Sequence, residues 1–190
     1  MTDIVNDAAP SMVTLPVALL ASLCDTLARA AKPAIAFDAI GSATAALLGP
    51  GLLTINAYRR ASSEVVRLWS SDTTAYPVGG RKYKADTPWT RWVLHQGEVF
   101  VGEGDAALEA VFDDISTIRG LSLSAVVNVP VCERGQCIGT FNFLAARSAW
   151  TQSEVAVLRL LAQMVAPAVM AASPADATDA NSKILNNLSG

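Results

Sequence analysis

Residues 122–146 limit the fold more than any other stretch of this chain. Two runs rich in β-formers flank Glu133-Arg134-Gly135-Gln136, which reads as a hairpin. A two-residue turn on Arg134-Gly135 needs a left-handed Arg134. A type I turn followed by a left-handed Gly135 avoids that strain and is expected instead. That turn pairs Cys132 with Gln136. Strand alternation then sets Ala125, Val127, Val129 and Val131 on one face, across from Phe143, Phe141, Gly139 and Cys137. This face is wholly apolar and belongs under helices. Val126, Asn128 and Pro130 share the other face with Asn142, Thr140 and Ile138. Buried amides need partners, so the half-polar face implies a cap or a ligand. The same register puts Cys132 and Cys137 on opposite faces and disfavours a disulfide. The alternative turn would set them directly opposite.

Elements of both kinds surround the hairpin. Residues 15–31 read as a helix, with Thr14 as N-cap and Pro16 in the first turn. Residues 34–48 read as a second helix, stopped by Gly49-Pro50-Gly51. Strands are expected over 52–60 and 65–71. Residues 72–121 are polar and glycine-punctuated, with short helical patches near 88–95 and 105–114 and a short strand near 99–101. Such stretches often carry function. Thr151 and Glu154 form a capping box before a final helix to about residue 172, which Pro167 should kink. Residues 1–14 lack a period and are expected to form a flexible arm. Residues 173–190 are small and polar and are expected to be a disordered tail. The sum is one α+β domain over 15–172. Its antiparallel β-sheet carries the N- and C-terminal helices on one face and a helical and loop cap on the other.

Composition narrows the class. The chain has 190 residues, 52% hydrophobic and 16% charged, with a net charge of −3. That is too apolar for disorder. It gives no basic field for phosphate-driven binding, so no nucleic-acid partner is expected. The longest nearly apolar run, 13–24, is well short of the roughly 20 residues a membrane-crossing helix needs. No basic segment precedes it, so no signal peptide is expected. Three cysteines suit a reducing, cytoplasmic compartment. Both terminal helices carry more apolar residues than one core-facing stripe holds. Val17, Leu19, Leu20, Leu23 and Leu27 do so in the first, and Val155, Val157, Leu158, Leu160, Leu161, Met164 and Val165 in the last. A helix-mediated homodimer is expected.

Four segments recur in a familiar order. They are Gly97-Glu98-Val99-Phe100-Val101, Val127-Asn128-Val129-Pro130-Val131, the run from Gly135 to Asn142, and the closing helix from Thr151. In these the chain resembles a GAF domain across about 15–172. The resemblance implies a GAF/PAS-like sheet, a small-molecule pocket between cap and sheet, and helices that dimerise. It names no ligand. Phe112-Asp113-Asp114 partly echoes the cyclic-nucleotide-binding subclass, but no Asn-Lys precedes it. No bilin-attachment context is found. His95, the only histidine, falls near a helix end and reads as a capping or surface residue rather than a haem ligand. The enzymatic subclass reduces free methionine-(R)-sulfoxide with a cap cysteine and strand carboxylates. Here Arg119 stands where that cysteine would be, Val126 where a glutamate would be, and Asn142 and Leu144 where aspartates would be.

Aromatic walls and a few placed polar groups make small-molecule pockets. Tyr76, Trp89, Trp92 and Phe112 are candidate walls, although Trp89 and Trp92 would equally serve to plug the cap onto the sheet. Val126, Asn128, Thr140 and Asn142 are the candidate floor. Arg119 offers a guanidinium to a carboxylate or phosphate, or a salt bridge to Asp113 or Asp114. The run from Arg81 to Lys84 reads as a solvated loop. No metal spacing, carboxylate pair, phosphate loop or catalytic triad appears, so no cofactor is expected. The expected function is a non-catalytic sensor of a small molecule, anionic if Arg119 holds it. With no output domain in the sequence, output would pass to a partner in trans. A sulfoxide-reductase-like or other redox enzyme, and a ligand-free dimerising adaptor, are the alternatives.

Overall fold

The computed structural model describes residues 12–173. Two helices come first, α1 (Val17–Arg29) and α2 (Pro33–Leu48). The strands are β1 (Leu52–Arg59), β2 (Glu64–Ser70), β3 (Arg81–Tyr83), β4 (Phe100–Glu103), β5 (Ala125–Glu133) and β6 (Gln136–Ala145). A π-helix (Thr90–His95) precedes β4, and α3 (Asp105–Glu109) and α4 (Ile115–Gly120) follow it. The chain closes with α5 (Gln152–Met164) and α6 (Ala166–Ala172). The strands make one antiparallel sheet in the order β3-β2-β1-β6-β5-β4. This is the α+β arrangement expected, with helices on one face and an irregular cap on the other. The expected arm over 1–14 and tail over 173–190 lie outside the described residues, save 12–14 and 173.

The helix face is the main core. Phe37 and Ile40 of α2, Leu158 and Leu161 of α5 and Val169 of α6 meet Val127, Val129, Phe141 and Phe143 of the hairpin. All are buried. The capping box starts α5: the Thr151 hydroxyl accepts from the Glu154 amide at 3.2 Å, and the Glu154 carboxylate accepts from the Thr151 amide at 2.8 Å. The helix breaks at Val165, and α5 and α6 meet at a bend of 44°. Pro167 explains the break, because its ring would clash with the carbonyl of Gln163 in a continuous helix. No single helix among the described residues is long and apolar enough to cross a membrane.

The hairpin turn differs from expectation. Arg134 and Gly135 take φ of 50° and 76°, which marks a two-residue primed turn whose twist matches the flanking strands. Cys132 therefore pairs with Cys137, not with Gln136. The register then shifts by one residue, Ile138 being extra on β6, so that Val131 pairs with Gly139 and Val129 with Phe141. The bulge restores the apolar face, and Phe141 and Phe143 stay with the helices. It also brings both cysteines to the cap side, against Tyr58, Val93 and Leu94, rather than to opposite faces.

All three thiols are free. Cys24 is exposed on α1, and burial raises the pKa of Cys132. Burial, only partly offset by a backbone hydrogen bond from Gly139, pushes the Cys137 thiol up to about 12. Since the thiolate is the reactive form, Ellman's reagent at mildly alkaline pH is expected to react first at Cys24 and at Cys137 only after unfolding. A fast phase surviving in Cys24→Ser would contradict this order.

Candidate functional site

The cap side of the sheet is built in rows across β1, β6 and β5. Leu52, Leu144 and Val126 form an apolar row. Thr54, Asn142 and Asn128 form the next, and Asn56, Thr140 and Pro130 the third. Above these rows, between sheet and cap, lies a cavity of about 180 Å³. Its floor is a polar network. The Asn56 amide donates to the Thr140 hydroxyl at 3.1 Å, and the Asn142 amide donates to the same hydroxyl at 3.3 Å.

Trp89 fixes the polarity of Asn128. Its indole N–H donates to Asn128 Oδ1 at 2.9 Å. An indole nitrogen can only donate, so the amide oxygen must face it and Nδ2 must face away. That Nδ2 is buried and has no hydrogen-bond partner, as is true of Asn142 Oδ1 and Arg67 Nε. Buried polar groups without partners are uncommon and costly. All three side chains line this one cavity.

Tyr76, Trp89, Phe112, Asn128, Thr140 and Asn142 thus surround one space. Trp92, Arg119 and Val126 do not line it. Trp92 is 47% exposed and donates its indole N–H to the Val99 carbonyl at 3.0 Å. Arg119 is turned outward to Asp105 at 2.8 Å and Glu109 at 2.6 Å, not to Asp113 or Asp114. Val126 is fully buried among Leu108, Ile118 and Leu144, because alternation sets its face but not its depth. His95 is exposed at the end of the π-helix. Among the described residues, no group of three or more His, Cys, Asp or Glu is placed to hold a metal ion.

The basic run is not a solvated loop. Arg81–Tyr83 is strand β3, paired with β2, and period-two alternation turns Lys82 and Lys84 inward while Arg81 and Tyr83 stay exposed. Lys82 reaches Asp113 at 2.8 Å and Asp114 at 3.6 Å. The Lys82 ammonium holds the Asp113 carboxyl below its usual range. Lys84 lies over the Trp89 ring, 4.7 Å from its centroid. Burial, aided by the charge of Lys82, brings the Lys84 pKa down to about 8 against the opposing pull of Asp113 and Asp114. Arg67 sits over the Tyr76 ring at 4.8 Å, and the Tyr76 hydroxyl donates to Asp114 at 2.8 Å. Burial and that hydrogen bond raise the Tyr76 pKa. Arg67, Lys82 and Lys84 were not among the expected site residues. The only trace of the two lysines in the sequence is the alternation in Arg81-Lys82-Tyr83-Lys84, over a run too short to stand out from a charged loop.

The GAF domain family model matches residues 19–169. The chain belongs to the GAF domain family. No curated protein sequence matches it. Among solved structures, the GAF domain of a phosphoenolpyruvate-protein phosphotransferase from Coxiella burnetii is similar, with a TM-score of 0.69 and 16% identity. That match covers 82% of this chain and 93% of that one. The GAF domain of the Acinetobacter phosphoenolpyruvate-protein phosphotransferase gives a TM-score of 0.66 at 13% identity, over 82% and 93% of the two chains. The chromophore-binding domain of an R. palustris bacteriophytochrome gives 0.62 at 10% identity, over 82% of this chain and 60% of that one. At these identities the likeness is one of fold. GAF domains are small-molecule-binding and signalling modules, in general regulatory rather than catalytic.

Proposed function

We propose that this GAF domain is a non-catalytic sensor that binds a small molecule between cap and sheet. The observation that carries this reading is the free, buried Nδ2 of Asn128 at the cavity floor. Ligand binding would shift the population of cap conformations, and the terminal helices would relay the shift to an output partner. Those helices leave Val17, Ile35, Leu160 and Met170 at least 40% exposed. A groove of about 400 Å³, lined by Leu27, Met164, Pro167 and Ala171, runs between the end of α1 and α6. We take this apolar surface as the seat of a homodimer. The redox-enzyme alternative lacks support in the cavity, since none of the cysteines lines it. A cytoplasmic setting suits the three free thiols.

Native mass spectrometry of the purified protein tests both parts. The expected result is a dimer carrying a small non-covalent adduct that is released on denaturation. Asn142→Phe, which places a ring in the cavity, should lose the adduct and any ligand-dependent rise in Tm. Bare protein in every preparation, together with no Tm shift across a broad metabolite panel, would overturn the sensor reading. A monomer would overturn the dimer.

A further inference from the structure

We infer that the ligand is a small organic carboxylate bearing one ring-sized apolar group, its anionic head held by Lys84 and Asn128. This rests on the sensor reading and names its ligand class. Charge is the first argument. The cavity wall carries Arg67, Arg81, Lys82 and Lys84 against one carboxylate, Asp114, while Asp113 pairs with Lys82 at 2.8 Å and Glu64 with Arg81 at 4.0 Å from beside it. Asp114 is already engaged by the Tyr76 hydroxyl at 2.8 Å and by Lys82 at 3.6 Å. Lys84 is different: among the described residues its ammonium makes no ion pair and donates no hydrogen bond, and rests only on the Trp89 ring.

The second argument is convergence. Trp89 holds Lys84 over its face and Asn128 at its N–H. Asn128 is 1% exposed, and its free Nδ2 lines the same cavity as Lys84. An ammonium and a directed amide donor, both anchored on Trp89, therefore line the Trp89 side of the cavity, an arrangement that suits a carboxylate head. The other end is apolar. Leu52 and Leu144 floor it and Phe112 packs beside them. The space, about 180 Å³, is close to the ~150 Å³ known to hold a single benzene ring. A cationic ligand would meet like charges, and a neutral one would leave Lys84 unpaired.

The protonation of Lys84 adds a pH signature. Lys82, Asp113 and Asp114 act on its charge, and Arg67, Arg81 and Tyr76 line the same space. With Lys84 titrating at about 8, carboxylate affinity should fall as pH rises through that value.

Three probes of one size and different charge test the inference on the full chain by calorimetric titration: benzoate, benzamide and benzylamine. Benzoate is expected to bind at least about tenfold more tightly than benzamide, as a charged hydrogen bond allows. Benzylamine is expected not to bind. Lys84→Met, with an unchanged thermal melt, should erase the preference for benzoate while leaving benzamide as it was. The inference is overturned if benzamide matches benzoate, if benzylamine binds best, or if Lys84→Met changes nothing. It is also overturned if benzoate, phenylacetate and 4-methyl-2-oxopentanoate all fail at about 1 mM. A neutral adduct found by native mass spectrometry would sink the carboxylate and leave the sensor standing. Bare protein with a silent metabolite panel would remove both.

Discussion

Gly139→Ala is expected to unfold roughly 10 °C below the parent protein, from an overpacking cost of about 3 kcal/mol in a domain of this size. Gly139 lies in β6 opposite Ala57 of β1. A Cβ there would sit 2.2 Å from the Asn56 carbonyl oxygen and 3.1 Å from Cγ1 of Val169. The first is backbone and the second belongs to a fully buried core side chain, so neither can swing aside. The clash must instead part β1 from β6 or lift α6 from the sheet. Asn56 and Thr140, whose side chains bond across the cavity floor, flank this contact on the same two strands. Stabilisation by any cavity ligand should therefore weaken too. Gly120→Ala is the matched control. A Cβ there meets nothing within 4 Å, and the position closes α4, so Tm should hold or rise slightly. Scanning calorimetry decides. A Gly139→Ala protein melting with the parent would reject the Ala57–Gly139 pairing.

Local signals carried most of the fold. The capping box at Thr151 and Glu154 is a four-residue motif, and the apolar hairpin face is a simple alternation. Both read directly because tertiary context had little left to decide. The turn did not. Sterics at Arg134 favour one geometry, but strand twist and the packing of Val131 and Gly139 under α6 favour another, and only the assembled sheet weighs them. Beyond the turn the faces survived the error because the bulge at Ile138 cancelled it, whereas Cys137 and Ile138 themselves exchanged faces, Cys137 going to the cap and Ile138 to the helix-side core. At the site, the polar floor of Asn128, Thr140 and Asn142 was legible because buried amides in a strand are conspicuous. Lys82 and Lys84 were not, since a three-residue strand is too short for alternation to stand out from a charged loop. Arg119 failed differently. Its partners, Asp105 and Glu109, lie on a short helix whose docking no local pattern specifies.

Arg147→Met is expected to cost about 3 kcal/mol at neutral pH, the lower end for breaking an ion pair whose partners are mostly shielded from water. The Arg147 guanidinium donates to the Glu154 carboxylate and, at 3.0 Å, to the Leu48 carbonyl at the end of α2. It also lies 4.1 Å from the centre of the Trp150 ring. Side-chain exposures are 21% for Arg147 and 15% for Glu154. Methionine keeps the stem and removes the charge and the donors. Desolvation pushes the Glu154 pKa up, but bonds from Thr151 and Arg147 outweigh it and hold the carboxyl below its usual value. The sign follows. A carboxyl depressed in the folded state adds stability above its unfolded pKa of about 4.3, and loses it as pH falls through the lower folded value. Without Arg147 the depression shrinks, so the acid limb of the stability curve should flatten. Urea unfolding at neutral pH and again below about pH 4 measures this. The gap between parent and variant should narrow in acid as Glu154 protonates in both. A gap that stays constant would assign the loss to the Leu48 hydrogen bond and to packing on Trp150, and not to the ion pair.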